Sequence, residues 1–120
     1  MSVCNSLYNF PVYAYGTEEQ KKRYLTPVAS GEVLGCYGLT EAGAGSDPAG
    51  MKTTAVLDGN EWIINGVKRF ITSGNVARYC VLAAITDKAA GYKGISSFIV
   101  DFENTPGFKV GTVEDKLGIN

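Results

Sequence analysis

The chain has no histidine. That removes the Ser–His and Cys–His nucleophile systems and leaves Asp, Glu, Lys or Tyr as the only candidates for a general base. Cysteine is scarce: Cys4, Cys36 and Cys80 are widely spaced, odd in number and form no C-x-x-C pair. A disulfide framework and a zinc site are therefore not indicated, and the thiols suit a reducing compartment as small buried apolar residues. No apolar run reaches the roughly 18 to 20 residues that a membrane span needs. Charge of one sign is also missing. Eleven basic and twelve acidic residues leave a net charge of −1, which gives no basic face for nucleic acid and no polybasic membrane patch. The first residues, "MSVCNSLYNFPVYAYG", lack the charged and apolar regions of a secretory signal.

What is present divides into two textures. Up to about residue 34 the sequence reads as helical. Residues 1–14 favour a helix interrupted or restarted at Pro11. Thr17 with Gln20 three residues later predicts a capping box, and Glu18 and Glu19 precede Lys21, Lys22 and Arg23 in the order that a helix dipole favours. Pro27 suits the first position of a second short helix capped by Thr26 and ended by Gly31. These helices lack apolar partners of their own and need another helical layer.

From about residue 33 the period falls from 3.6 to 2. Six or seven short strands are expected: "VLGCYGLT", "TTAVL", "EWIIN", "VKRFIT", "ARYCVLAAIT", "GISSFIV" and "GFKVGTV". Asp58-Gly59 predicts one hairpin turn and Asn65-Gly66 a second. "DKAAGYKG" reads as a polar loop. The expected fold is mainly β: an antiparallel, β-barrel-like domain preceded by helices from the end of an α-helical domain, an α+β fragment of a larger protein. The boundary falls between residues 1–34 and 35–120.

The stretch "YGLTEAGAGSDPAG" (37–50) is the candidate ligand loop. It is not a Walker loop, because no Lys follows its glycines, and it is not a dinucleotide fingerprint, because the Gly43/Gly45/Gly50 spacing is off and a proline-broken hairpin entry follows. It reads either as a wide turn whose glycines supply positive φ, or as a backbone nest for an anion beside Thr40 and Ser46. "KRFITSGN" (68–75) sets an aromatic beside a Thr, and the two loops together suit a flat heterocycle with a phosphate tail. Glu41 and Asp47 invite a general-base role, but acidic turn residues ordinarily accept nearby N–H bonds and hold the loop, and that reading is preferred.

On these residues a resemblance becomes visible. "YGLTEAGAGSD", "EWIINGVKRFITSG" and "KGISSFIVDFENTPGFKVGTVEDKLGIN" resemble, in order and spacing, the central region of acyl-CoA dehydrogenases. "NSLYNFPVYAYGTEEQKKRYLTPVASGE" is similar to the helical segment that precedes it. "KGISSFIV" and "EDKLGI" look most like the short-chain, butyryl-type members.

The resemblance implies a flavoenzyme that holds FAD non-covalently and oxidises acyl-CoA to trans-2-enoyl-CoA. It implies that Tyr37, Leu39 and Thr40 line the flavin, the Thr40 hydroxyl bonding its pyrimidine edge, and that Gly45 and Ser46 approach the pyrophosphate, Ser46 also meeting the substrate's pantetheine arm. Phe70, Ile71 and Thr72 would cover the other side, Thr72 donating near flavin N5, where arriving hydride builds negative charge. The catalytic base is expected on a C-terminal helical domain absent from this chain, so the fragment alone is expected to be inactive.

The implied partners are the acyl-CoA substrate, an electron-transfer flavoprotein and further copies in a dimer or tetramer. The implied compartment is bacterial cytoplasm or mitochondrial matrix. Three positions depart from the pattern: Ala42 stands in place of a usual Pro, Phe70 of a usual Trp and Ser73 of a common Asn. The alternatives are a relative with different flavin chemistry, such as a thioester-linked monooxygenase or a carrier-bound acyl oxidase, and a non-catalytic β-module that binds a ligand or partner.

Overall fold

A computed structural model describes residues 2–117 of the chain; the last residues of the "EDKLGIN" block lie outside them. Contacts divide the chain into two compact units. The first takes the residues up to Tyr37, Thr72–Val81 and the chain from Ile99 on; the second takes Gly38–Ile71 and Leu82–Phe98. Among the described residues no helix is long and apolar enough to cross a membrane.

The helices lie in the first unit. A π-type segment, Cys4–Asn9, runs into α1 (Phe10–Tyr15), and the sequence continues with α2 (Glu18–Gln20), a second π-type segment Lys21–Leu25, and α3 (Thr26–Ala29). The capping box forms as the sequence predicts: Thr17 Oγ1 accepts from Gln20 N at 3.1 Å, and Gln20 Oε1 accepts from Thr17 N at 2.9 Å. Neither proline restarts the chain behind a new cap. Thr26 does not cap α3; it lies within it, and its N–H donates back five residues to the Lys21 carbonyl. Phe10 N–H likewise donates to the Asn5 carbonyl, just before Pro11. A proline leaves the carbonyl four residues earlier without its donor, and widening the preceding turn to an i→i+5 pattern carries the helix past it.

Among the described residues five strands follow: β1 (Gly35–Gly38), β2 (Thr54–Asp58), β3 (Glu61–Asn65), β4 (Tyr79–Ile85) and β5 (Ile95–Asp101), with a kinked 3-10 segment Lys88–Gly94 before β5. The order is β1-β4-β2-β3, with β5 also paired to β4. β2 and β3 form the antiparallel hairpin that Asp58-Gly59 predicts, in register from Thr54↔Asn65 to Asp58↔Glu61, and Gly59 turns it at φ +63°. β2 meets β4 in parallel through Thr54↔Ile85. The sheet is therefore mixed and open, which corrects the expectation of a purely antiparallel, barrel-like domain.

Two expected strands are absent: neither "VKRFIT" nor "GFKVGTV" pairs, and the Asn65-Gly66 hairpin does not form. Gly66 serves a different need. A Cβ there would run into the Cα and side chain of Thr53, so this glycine permits a close backbone approach rather than a reverse turn.

Each unit has its own core. In the first, Tyr8, Val12, Val28, Tyr79 and Val81 are buried together, and Tyr24 meets Tyr79 edge-to-face at 5.3 Å. Cys36 and Cys80 are buried there, and the Cys4 thiol donates to the Gly35 carbonyl. Arg78 pairs with Asp101 at 2.9 Å. In the second, the buried apolar residues are small or flexible: Ala44, Met51 and Ala83, with Leu39, Ile85 and Ile95 against them.

Candidate functional site

The glycine loop leaves β1 and closes at once. Glu41 and Ala44 exchange backbone hydrogen bonds (N to O 3.0 and 3.2 Å), which makes a tight turn of Glu41-Ala42-Gly43-Ala44. The expectation that its glycines supply positive φ is not met, because neither Gly43 nor Gly45 lies in that region. A Cβ added at either would meet nothing within 4 Å. The missing side chains thus serve neither turn geometry nor internal packing. What remains is open space beside bare backbone, the arrangement that lets a ligand come close.

The turn is fixed from beneath by Glu41, whose side chain is buried. Its carboxylate accepts from Lys52 N (2.6 Å), Thr53 N (3.0 Å) and the Thr53 hydroxyl, and pairs with Lys68 Nζ at 2.9 Å. Burial pushes its pKa up, but the Lys68 ammonium, the Thr53 hydroxyl and the two N–H groups outweigh it and hold the carboxyl at about 2. Lys68 is equally buried and also donates to the Leu39 carbonyl at 3.0 Å. Asp47, exposed at the far end of the loop, accepts from the Tyr92 hydroxyl (2.7 Å) and Ala49 N, and both hold its pKa below the ordinary carboxylate value. The preferred reading of Glu41 and Asp47 as loop-holding acceptors therefore stands. Lys68 and Tyr92 had no signal in the sequence, because their partners lie 27 and 45 residues away.

Of the sequence-predicted residues, Leu39, Thr40, Gly45, Ser46, Phe70 and Ile71 fall in the second unit, and Tyr37 and Thr72 in the first. Within the second unit the two loops are tied main chain to main chain: Arg69 N donates to the Thr40 carbonyl at 2.8 Å. Leu39, Thr40 and Ile71 are half-buried, while Gly45, Ser46 and Phe70 are exposed. Phe70 sits at φ +56°, a left-handed conformation that costs a non-glycine residue on the order of 1–3 kcal/mol. The Arg69 guanidinium lies 5.1 Å from its ring centre. In the first unit Tyr37 is half-buried against the aromatic core. Thr72 is exposed at the start of the turn 72–76, where Ser73 is also left-handed, at φ +62°.

Comparison with known proteins gives the constellation its context. Residues 36–120 match the acyl-CoA dehydrogenase middle domain, and residues 1–32 match the N-terminal domain. The chain is 52% identical over 118 residues to the short-chain-specific acyl-CoA dehydrogenase of Clostridium acetobutylicum, covering 98% of this chain and 30% of that protein. It is 47% identical over 119 residues to the human mitochondrial short-chain-specific enzyme, covering 99% and 29%.

Among solved structures, butyryl-CoA dehydrogenase from Megasphaera elsdenii matches with a TM-score of 0.94 at 43% identity, over 98% of this chain and 31% of that one. A glutaryl-CoA dehydrogenase from Mycobacterium smegmatis, solved with FADH2, matches at 0.82 and 45%, over 92% and 27%. The chain spans about 30% of the length of the curated relatives it matches. The motifs, the fold and these matches agree: the chain belongs to the acyl-CoA dehydrogenase family.

Proposed function

We propose that this chain is the flavin- and CoA-facing part of an FAD-dependent acyl-CoA dehydrogenase that oxidises a short acyl-CoA to the trans-2-enoyl-CoA. The observation that carries the reading is the turn at Gly43 and Gly45: bare backbone beside open space, anchored by a buried ion pair. Residues 35–120 form the flavin-binding domain and residues 1–34 the end of a helical one. Bound FAD supplies the hydride acceptor. Leu39 and Thr40, with Tyr37, bind and orient it; Phe70, Ile71 and Thr72 cover it and exclude water; Gly45 and Ser46 admit the phosphates and the pantetheine arm.

The base that removes the α-proton is proposed to lie on a C-terminal helical domain, as the family resemblance implies, and neither acidic residue of the glycine loop suits the role. Glu41 is occupied by four donors and held at about 2, far below the range in which a carboxylate accepts protons efficiently near neutral pH. Asp47 is likewise held low by Tyr92. Acyl-CoA, an electron-transfer flavoprotein and further copies of the protein are the proposed partners. The bacterial and mitochondrial relatives support bacterial cytoplasm or mitochondrial matrix as the compartment.

The test is the visible spectrum of the full-length protein before and after anaerobic addition of butyryl-CoA. A yellow protein that bleaches supports the reading. A colourless protein that takes up no added FAD contradicts it.

A further inference from the structure

The two candidate ligand loops of the second unit are far apart in sequence, yet one buried group reaches both. Lys68 Nζ bonds the Leu39 carbonyl at 3.0 Å and Glu41 Oε1 at 2.9 Å. The next residue along, Arg69, returns a backbone bond to the Thr40 carbonyl. Residues 39, 40 and 41 are thus gripped in succession by residues 68 and 69. The same carboxylate accepts from Thr53 N at Oε1 and from Lys52 N at Oε2, and the Thr53 carbonyl accepts from Ile85 N at 2.9 Å, so the clamp is rooted in β4. Gly66 admits Thr53 against the segment that leads into Lys68. Both charged side chains are more than nine-tenths buried. A buried ion pair with its remaining bonds satisfied fixes geometry more surely than it adds stability.

We propose that Glu41 and Lys68 are positioning residues for the cofactor: the pair sets the spacing between the glycine turn at 41–46 and the left-handed Phe70 loop, and so sets flavin affinity and potential without touching the flavin. The inference rests on the flavin reading above. Lys68 bonds the Leu39 carbonyl, and Gly43 lies inside the turn that the two Glu41–Ala44 backbone bonds close, with Gly45 the residue that follows it. Phe70 holds its unfavourable φ two residues after the locked ammonium, where a loosened Lys68 would let it relax.

The experiment uses the full-length holoprotein with Glu41→Gln, which keeps the side chain's size and one acceptor oxygen but removes the charge, and with Lys68→Met and Lys68→Arg. FAD dissociation constants from flavin fluorescence and the flavin reduction potential are measured well below each variant's Tm. The expected result is FAD binding weaker by about tenfold in Glu41→Gln and Lys68→Met, the scale on which residues outside a ligand couple to it. A shifted potential and substantial recovery in Lys68→Arg should accompany it. Should Lys68→Met fail to fold, Glu41→Gln decides alone. Variants that lose Tm while affinity and potential stay at wild-type values would overturn the proposal and leave a purely structural pair. A wild-type protein that takes up no FAD would instead overturn the flavin reading, and this proposal with it.

Discussion

The two compact units solve the same problem with different materials. The first buries large aromatics: Tyr8 is fully buried with its hydroxyl on the Tyr24 carbonyl at 3.1 Å, and burial pushes its pKa well up. Its Arg78–Asp101 ion pair lies at the margin, with the arginine a quarter exposed. The second has only small or flexible apolar residues at its centre and places a charged pair inside instead. The apolar part of aromatic burial has no preferred direction, whereas a buried carboxylate with four donors is satisfied only where all four reach it. The unit built on the charged core is the one that carries the glycine turn and Phe70, the two loops proposed to face the cofactor.

A large truncation in either core should unfold its own unit first. Tyr8→Ala removes a fully buried ring and should cost about 3–5 kcal/mol. Lys68→Met leaves Glu41 buried without its cation and should cost a similar amount, about 3–5 kcal/mol. Hydrogen exchange resolved by segment checks both. Tyr8→Ala should deprotect α1 and β1 first, and Lys68→Met the segment 39–53. Equal loss of protection everywhere would mean that the two cores act as one.

Acid should weaken both units. Glu41, ordinarily near 4.5, sits at about 2, and Asp101, ordinarily near 3.8, is also drawn to about 2 by its hydrogen bond to Arg78, against its burial. A carboxyl whose folded pKa lies below its unfolded one stabilises fully above the unfolded value, and loses that stabilisation as pH falls through the folded value. Stability should therefore decline from about pH 5 towards pH 2. In urea titrations at stepped pH, Glu41→Gln should remove part of that slope and leave the part due to Asp101. An unchanged slope would contradict the assignment. The smallest of these effects is expected at the capping box, where Thr17→Ala should cost about 1 kcal/mol in the same titrations and leave FAD binding unchanged.

These features differ in how far the sequence shows them. The capping box and the Asp58-Gly59 hairpin are legible because their donors, acceptors and turn residues lie within a few positions of one another. Asn65-Gly66 carries the same local signal and misleads, because the demand on Gly66 comes from Thr53, thirteen residues upstream. The parallel Thr54↔Ile85 contact and the Glu41–Lys68 pair have no local signature at all, since each joins residues roughly thirty positions apart. The glycine loop is legible as a candidate, but why it is glycine is not: the sequence allows either turn geometry or a backbone nest for a ligand, and the structure shows no positive φ at Gly43 or Gly45 and open space beside them. Pro11 and Pro27 look like helix starts because the rule for a first-turn proline is local, whereas the widened turns that carry the helix past them depend on the residues before.

On the proposed reading, Gly45 is glycine for the sake of a ligand. Gly45→Ala in the full-length protein tests it most directly, with FAD and butyryl-CoA affinities measured beside Tm. A Cβ there meets nothing within 4 Å, so stability should stay within about 0.5 kcal/mol of wild type. Binding of FAD or of butyryl-CoA should weaken several-fold. Unchanged affinity for both, with the protein folded, would contradict the account.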